Sequence, residues 1–164
     1  FETLELGQLM NETVDRFRPF AVNLGVDINT VRPIEPYWIK GDRKRLDQVL
    51  MNLLSNAAKF SDGHGVIRVS LNLNEDMVRL SVADRGIGIA ENMEEAVFAE
   101  FIQLDGQDSR KFGGTGLGLS ISKRIVEAHG GVIGYDSEPG VGTTFYVDMH
   151  KASKPKESKT WKAA

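Results

Sequence analysis

Over the first sixty positions, apolar residues recur at helical spacing in two stretches. Leu6, Leu9, Met10, Thr13, Val14, Phe17 and Ala21 predict a helix from about Leu4 to Leu24, which Gly25 ends. Leu46, Val49, Leu50, Leu53, Leu54 and Ala57 predict a second, which Asp42 caps and which runs to about Phe60. Between them, Val26 to Val31 alternates apolar and polar residues as a half-buried strand does. A loop with two prolines (Arg32 to Pro36) and a short strand from Tyr37 to Ile39 follow. Past a turn at Ser61 to Gly65 the period shortens to two. Ile67, Val69, Leu71 and Leu73, then Val78, Leu80 and Val82 beyond a turn at Asn74 to Asp76, predict an antiparallel hairpin with one buried face.

From about Gly86 to Gly114 the chain is polar, glycine-punctuated and without a stable period, apart from one short helical piece near Glu94 to Phe101. A stretch this long without regular structure is usually functional or mobile. A third long helix is predicted from about Gly116 to His129, with Leu117, Ile121, Ile125 and Ala128 on one face and Gly130 and Gly131 as its stop. A strand from Val132 to Asp136, a turn at Glu138 to Gly140 and a strand from Thr143 to Met149 complete a sheet. The lysine-rich stretch Lys151 to Ala164 is expected to be a disordered tail, leaving residues 1–150 as one domain.

Composition narrows the function classes. With 164 residues, 41% of them hydrophobic, the chain can build one α/β core. A net charge of -3 gives no electrostatic case for binding nucleic acid. The absence of cysteine excludes disulfides, thiolate zinc sites and cysteine nucleophiles. No apolar run approaches the roughly 18 residues that span a bilayer, so no membrane contact is expected. The chain begins at Phe1 with no charged-then-apolar leader, and we read it as a monomeric piece of a longer protein.

Four features can carry chemistry. Asn52, Asn56 and Lys59 lie at i, i+4 and i+7, within roughly 60° of one another on the second helix and beside its apolar stripe. Two amides and an ammonium there could meet a metal and phosphates, since an amide oxygen is a hard ligand that Mg²⁺ accepts. The same pattern suits a solvated helix edge. In Asp84-Arg85-Gly86-Ile87-Gly88, Asp84 keeps the buried parity of Val78, Leu80 and Val82, so its carboxylate needs a partner. A purine amino group is one candidate, with glycines that let backbone approach a flat ring; an ordinary Asp-x-Gly turn is the other reading. Gly113 to Leu119 runs into a helix start, where unpaired N–H groups attract anions. It matches neither the dinucleotide fingerprint nor a P-loop. Phe98 and Phe101 read as packing residues of the irregular segment, and Arg110 and Lys111 as cations near its end. His64, His129 and His150 form no metal-ligand spacing.

In this order and spacing the four features resemble the motifs of sensor histidine kinases. Asp47 to Phe60 is similar to their asparagine box, Asp84 to Gly88 to the first glycine box, Phe98 and Phe101 to the phenylalanine box, and Gly114 to Leu119 to the second glycine box. The resemblance covers roughly residues 3 to 150. It implies a Bergerat fold, a two-layer α/β sandwich whose mixed, mostly antiparallel sheet carries three main helices on one face and a mobile ATP lid. It implies ATP and Mg²⁺ as cofactors, with Asp84 on the adenine amino group and Gly86 and Gly88 shaping the adenine pocket. Asn56 would coordinate Mg²⁺, with Asn52 beside it and Lys59 on the phosphates. Phe101 and Gly114, Thr115, Gly116, Leu117, Gly118 and Leu119 would line the lid and its phosphate-facing end. The phosphoacceptor histidine would lie on a separate dimerisation domain upstream, and a response-regulator receiver domain would take the phosphoryl group on, both in the cytoplasm.

Three other readings compete. The hydrolases of the same fold place a glutamate base where Asn52 stands, and an amide cannot take a proton at neutral pH. A stand-alone serine kinase of the anti-sigma-factor type fits poorly with Asn52 and the missing initiator Met. A nucleotide-sensing module without kinase activity would share the nucleotide motifs and fail only in phosphoryl transfer.

Overall fold

The computed structural model of the protein describes residues 1–61, 65–100 and 117–156. In chain order they form β1 (Glu2–Glu5), α1 (Leu6–Asn23), β2 (Val26–Val31), β3 (Trp38–Gly41), α2 (Arg43–Phe60), β4 (Gly65–Asn74), β5 (Met77–Ala83), α3 (Glu94–Val97), α4 (Gly118–Ala128), β6 (Val132–Glu138) and β7 (Gly142–Ala152).

The helix starts follow from local chemistry. The Glu5 carboxylate accepts the N–H groups of Gly7 (2.9 Å) and Gln8 (2.8 Å), which α1 would otherwise leave unpaired. Asp42 does the same for α2 by accepting the N–H of Arg45 at 3.1 Å. That hydrogen bond holds the Asp42 carboxyl below the usual carboxylate range.

The seven strands form one sheet in the order β1-β3-β7-β5-β4-β2. β6 lies beside β3 on the same edge of β7, pairing its residues 142–148 while β3 pairs residues 151–152. Only β2 and β4 run parallel; every other pair is antiparallel. The registers Leu71↔Leu80↔Val147 and Val69↔Val82↔Phe145 put apolar side chains in rows on one face. That face and the apolar stripes of α1, α2 and α4 make a single core in which Met10, Ile39, Leu53, Leu54 and Ile67 are fully buried. This is the two-layer α/β sandwich expected from the sequence.

Three expectations about the elements need correction. Leu4 does not open α1 but lies in β1, paired with Ile39 of β3. A partner so far along the chain leaves no local period. The buried side of α4 is Ser120, Ser122, Ile125 and Val126, whereas Ala128 is exposed and Ile121 half-buried. The helix is rotated because it seats two serines, not only apolar residues, against its neighbours. β7 continues through Lys151 and Ala152, two residues into the predicted tail, because β3 offers them a ladder.

Candidate functional site

Asp84 follows β5 directly and retains only 9% of its exposure. Its Oδ1 accepts the N–H groups of Gly86 at 2.9 Å and Thr143 at 3.3 Å, and its own N–H donates to the Thr143 carbonyl at 2.8 Å. The other carboxylate oxygen, Oδ2, takes no hydrogen bond from the described residues. Burial pushes the Asp84 carboxyl up, and the two backbone N–H groups pull it partly back. The result is a carboxylate fixed through Oδ1, with neither a donor on Oδ2 nor a paired cation among the described residues.

The glycines around it are packing requirements. A Cβ on Gly86 would sit 1.9 Å from the Phe60 carbonyl oxygen, and one on Gly142 would sit 2.2 Å from that of Asp84. Gly88, at φ +71, leaves 2.2 Å to the Glu138 carbonyl oxygen. Three backbone segments therefore touch here: the end of α2, the turn after β5 and the β6–β7 turn. Ser137 fastens two of them, accepting the Ile89 N–H at 2.7 Å and donating within the turn, where the Gly142 carbonyl lies at 3.0 Å and the Thr143 hydroxyl at 2.8 Å. Gly140 N–H adds a bond to the Ile87 carbonyl at 2.7 Å. Sequence reasoning missed Ser137, Gly142 and Thr143. The one available signal was that Thr143 shares the inward parity of Phe145 and Val147.

Asn52, Asn56 and Lys59 lie half-buried along one edge of α2, as their spacing required. That edge runs toward Phe60, whose carbonyl abuts Gly86, so it ends at the Asp84 turn. Asn52 is held by α4: its Nδ2 donates to the Gly118 carbonyl at 3.1 Å and to Ser122 Oγ at 3.2 Å. Leu117, Gly118 and Leu119 are half-buried at the α4 start, which no side chain caps. Open N–H groups at that end provide partial positive charge. Phe101, Arg110, Lys111, Gly114, Thr115 and Gly116 lie outside the described residues. Phe98 lies within the described residues. It packs on the sheet, with ring centroids 6.1 Å from Tyr135 and 6.3 Å from Phe145, and Lys123 lies over its ring at 5.7 Å.

Among the described residues no three His, Asp or Glu side chains gather into a metal cage. His129 bridges two helices: its Nε2 accepts the Asp42 N–H at 2.9 Å, and Nδ1 faces the Ile125 carbonyl at 2.7 Å. No described helix is long and apolar enough to cross a membrane.

The site thus holds an open acceptor on a glycine-packed turn, an amide-and-ammonium edge and an uncapped helix start. Comparison with known proteins gives this combination a family. The family of histidine kinase-, DNA gyrase B-, and HSP90-like ATPases matches residues 41–153. The chain belongs to it. Within this ATPase family it is of the catalytic, ATP-binding type found in sensor histidine kinases. Sensor histidine kinase WalK of Bacillus subtilis is 39% identical over 145 residues, which cover 87% of this chain and 24% of WalK. The catalytic domain of histidine kinase ThkA superposes with a TM-score of 0.80 at 31% identity, covering 92% of this chain and 95% of that domain. Full-length ShkA, solved in complex with AMPPNP, gives 0.80 at 29% identity, covering 94% of this chain and 32% of ShkA. The chain spans a minor part of the curated relatives it matches, between 5% and 38% of their lengths in the range from Candida albicans histidine protein kinase 1 to Prochlorococcus marinus SasA.

Proposed function

We propose that this ATPase-family domain binds ATP with Mg²⁺ and presents the γ-phosphoryl group to a histidine on a separate helical dimerisation domain, as the catalytic part of a two-component kinase. The observation that carries the reading is Asp84. Its Oδ1 is occupied by two backbone N–H groups, while Oδ2, in a desolvated position, has neither a donor nor a cation paired to it among the described residues. An exocyclic amino group of a purine is a donor of the right kind, and AMPPNP in the similar kinase ShkA supports a purine nucleotide here.

The donor set suits Mg²⁺ that arrives with phosphates. A site with no carboxylate cluster among the described residues but with the amide oxygen of Asn56 suits an ion that keeps most of its waters and takes few protein ligands. When bound, Mg²⁺ would neutralise charge on the phosphate oxygens, and ATP would supply the transferred group. The chain's own residues position and shield. Asp84, Gly86 and Gly88 fix the base. Lys59 and the start of α4 at Leu117, Gly118 and Leu119 face the phosphates, and the motif positions Phe101, Gly114, Thr115 and Gly116 are assigned to nucleotide binding with them. Asn52 lies beside Asn56. An amide at position 52 cannot act as a general base, so water is not activated and hydrolysis is slow. Phosphoryl transfer then depends on positioning and on cations around the γ-phosphoryl oxygens.

On this reading the ATP-binding domain runs from the start of the chain through β7 to Ala152, the lysine-rich stretch after it is a tail, and the isolated chain is monomeric. The receptor of the phosphoryl group beyond the histidine is a response-regulator receiver domain, all in the cytoplasm. The test is to mix the chain with γ-labelled ATP, Mg²⁺ and a separately produced helical histidine domain of a similar kinase such as WalK. Acid-labile label on the histidine domain is the expected result. Release of inorganic phosphate without label on that domain would identify a hydrolase instead.

A further inference from the structure

Ser122 lies in α4 with no exposure at all, in the layer between α4 and α2. A hydroxyl so placed needs a partner. It finds one in Asn52, whose Nδ2 is 3.2 Å from Ser122 Oγ and 3.1 Å from the Gly118 carbonyl. A carbonyl can only accept, so the atom facing Gly118 is the amide nitrogen, and this settles the orientation of the group. With Ser122 as a second acceptor, both amide hydrogens are used. The oxygen Oδ1 takes no hydrogen bond from the described residues, on a side chain half-buried along the edge that Asn52 shares with Asn56 and Lys59. Free rotation of the amide would offer a donor or an acceptor there with similar ease; the two contacts to α4 leave only the acceptor.

We infer that Ser122 is a positioning residue: together with the Gly118 carbonyl it holds the Asn52 amide so that Oδ1, and not the NH₂ group, faces the metal and phosphate site. The inference rests on the nucleotide reading above and goes further, because it gives a role to a buried residue that meets neither nucleotide nor metal. An acceptor at that point suits the hydrogens of metal-bound water, whereas an NH₂ group would repel them.

The test compares the unaltered chain with Ser122→Ala, Ser122→Cys, Asn52→Ala and the double variant Asn52→Ala/Ser122→Ala. Two readouts are needed. Calorimetric titration with AMPPNP, with and without Mg²⁺, gives the factor by which the metal enhances affinity. Nitrogen-edited NMR follows the Asn52 side-chain NH₂ pair without any ligand. Loss of one neutral hydrogen bond should reduce the Mg²⁺ enhancement about 3- to 10-fold in Ser122→Ala. The cysteine variant should share the loss, since sulfur fills the space but accepts weakly. The Asn52 NH₂ signals should shift and exchange faster in both. The double variant should lose little beyond Asn52→Ala, because the two residues act through one contact.

A packing role would look different. Affinities with and without Mg²⁺ would then fall together, and cysteine would restore both. That outcome, unchanged NH₂ signals, or multiplying losses in the double variant would each overturn the inference while leaving the nucleotide site standing. An unaltered chain that binds no AMPPNP would overturn the nucleotide reading, and the inference with it.

Discussion

Replacing Asp84 with asparagine should weaken nucleotide binding and strengthen the empty fold at the same time. In the structure Oδ1 accepts from Gly86 at 2.9 Å and from Thr143 at 3.3 Å. In Asp84→Asn the amide oxygen must stay at that position, because an NH₂ group would meet two backbone donors. The new NH₂ therefore takes the place of Oδ2, the oxygen that, on the proposed reading, accepts from the adenine amino group. A charge-assisted hydrogen bond contributes about 1.5–3 kcal/mol, and a donor facing a donor removes all of it. The expected loss of affinity is about 10- to 100-fold. Stability should move the other way. Burial raises the Asp84 carboxyl, so folding favours its neutral form. Stability from that preference is present below the ordinary carboxylate range and is lost as pH rises through the raised value. Towards neutral pH the nucleotide-free chain loses that contribution, whereas the neutral side chain of the variant keeps its own at every pH. A gain of about 1 kcal/mol would raise Tm by about 2–4 °C in a chain of this size. Titration calorimetry with AMPPNP and scanning calorimetry without it measure the two effects. Equal affinity would refute the adenine assignment, and a lower Tm in the variant would refute the account of Asp84 as a carboxyl that burial disfavours in its charged form.

Other expectations follow from the same geometry. Between acid and neutral pH, the unaltered chain should lose stability relative to Asp84→Asn as pH rises, measured as the difference between their urea midpoints; a constant difference would contradict the raised carboxyl. Gly142→Ala should cost about 3 kcal/mol or more in urea unfolding, because its φ is +147 and the added Cβ would meet main chain at 2.2 Å, which cannot move aside. On the sheet face away from the helices, Arg79 grips both oxygens of Asp148 at 2.7 Å and lies 3.9 Å from the Tyr146 ring centroid. Arg79→Lys keeps the charge but loses fork and stacking, and should cost about 1 kcal/mol, less at high salt because Arg79 is 34% exposed.

Much of this was legible in residue order because the dominant signals are local. The α2 stripe of Leu46, Val49, Leu50, Leu53, Leu54 and Ala57 is buried throughout, and the parity of Val78, Leu80 and Val82 carried Asp84 to the inside of the fold. Asp42 caps α2 as its position before the apolar period suggested. What escaped depends on partners distant in sequence. β1 exists because β3 lies beside it, and four residues have too short a period to compete with the helix that follows. Ser122 is buried because Asn52 offers two hydrogens across the helix pair, and no pattern on α4 alone shows that. The same is true of Ser137 and Thr143, whose hydroxyls complete a crossing between two turns. His129 reads as an ordinary helix end, yet it ties the start of α2 to the end of α4.

The most direct test of the central claim is an amide NMR titration of this chain with AMPPNP and Mg²⁺. The expected footprint is a single cluster: Asp84 to Ile89, Thr143, the Asn52 to Lys59 edge of α2, and Gly118 and Leu119 at the start of α4. Shifts confined to another surface, such as the one around Lys40 of β3 and His150 of β7, or no shifts at saturating nucleotide, would contradict it.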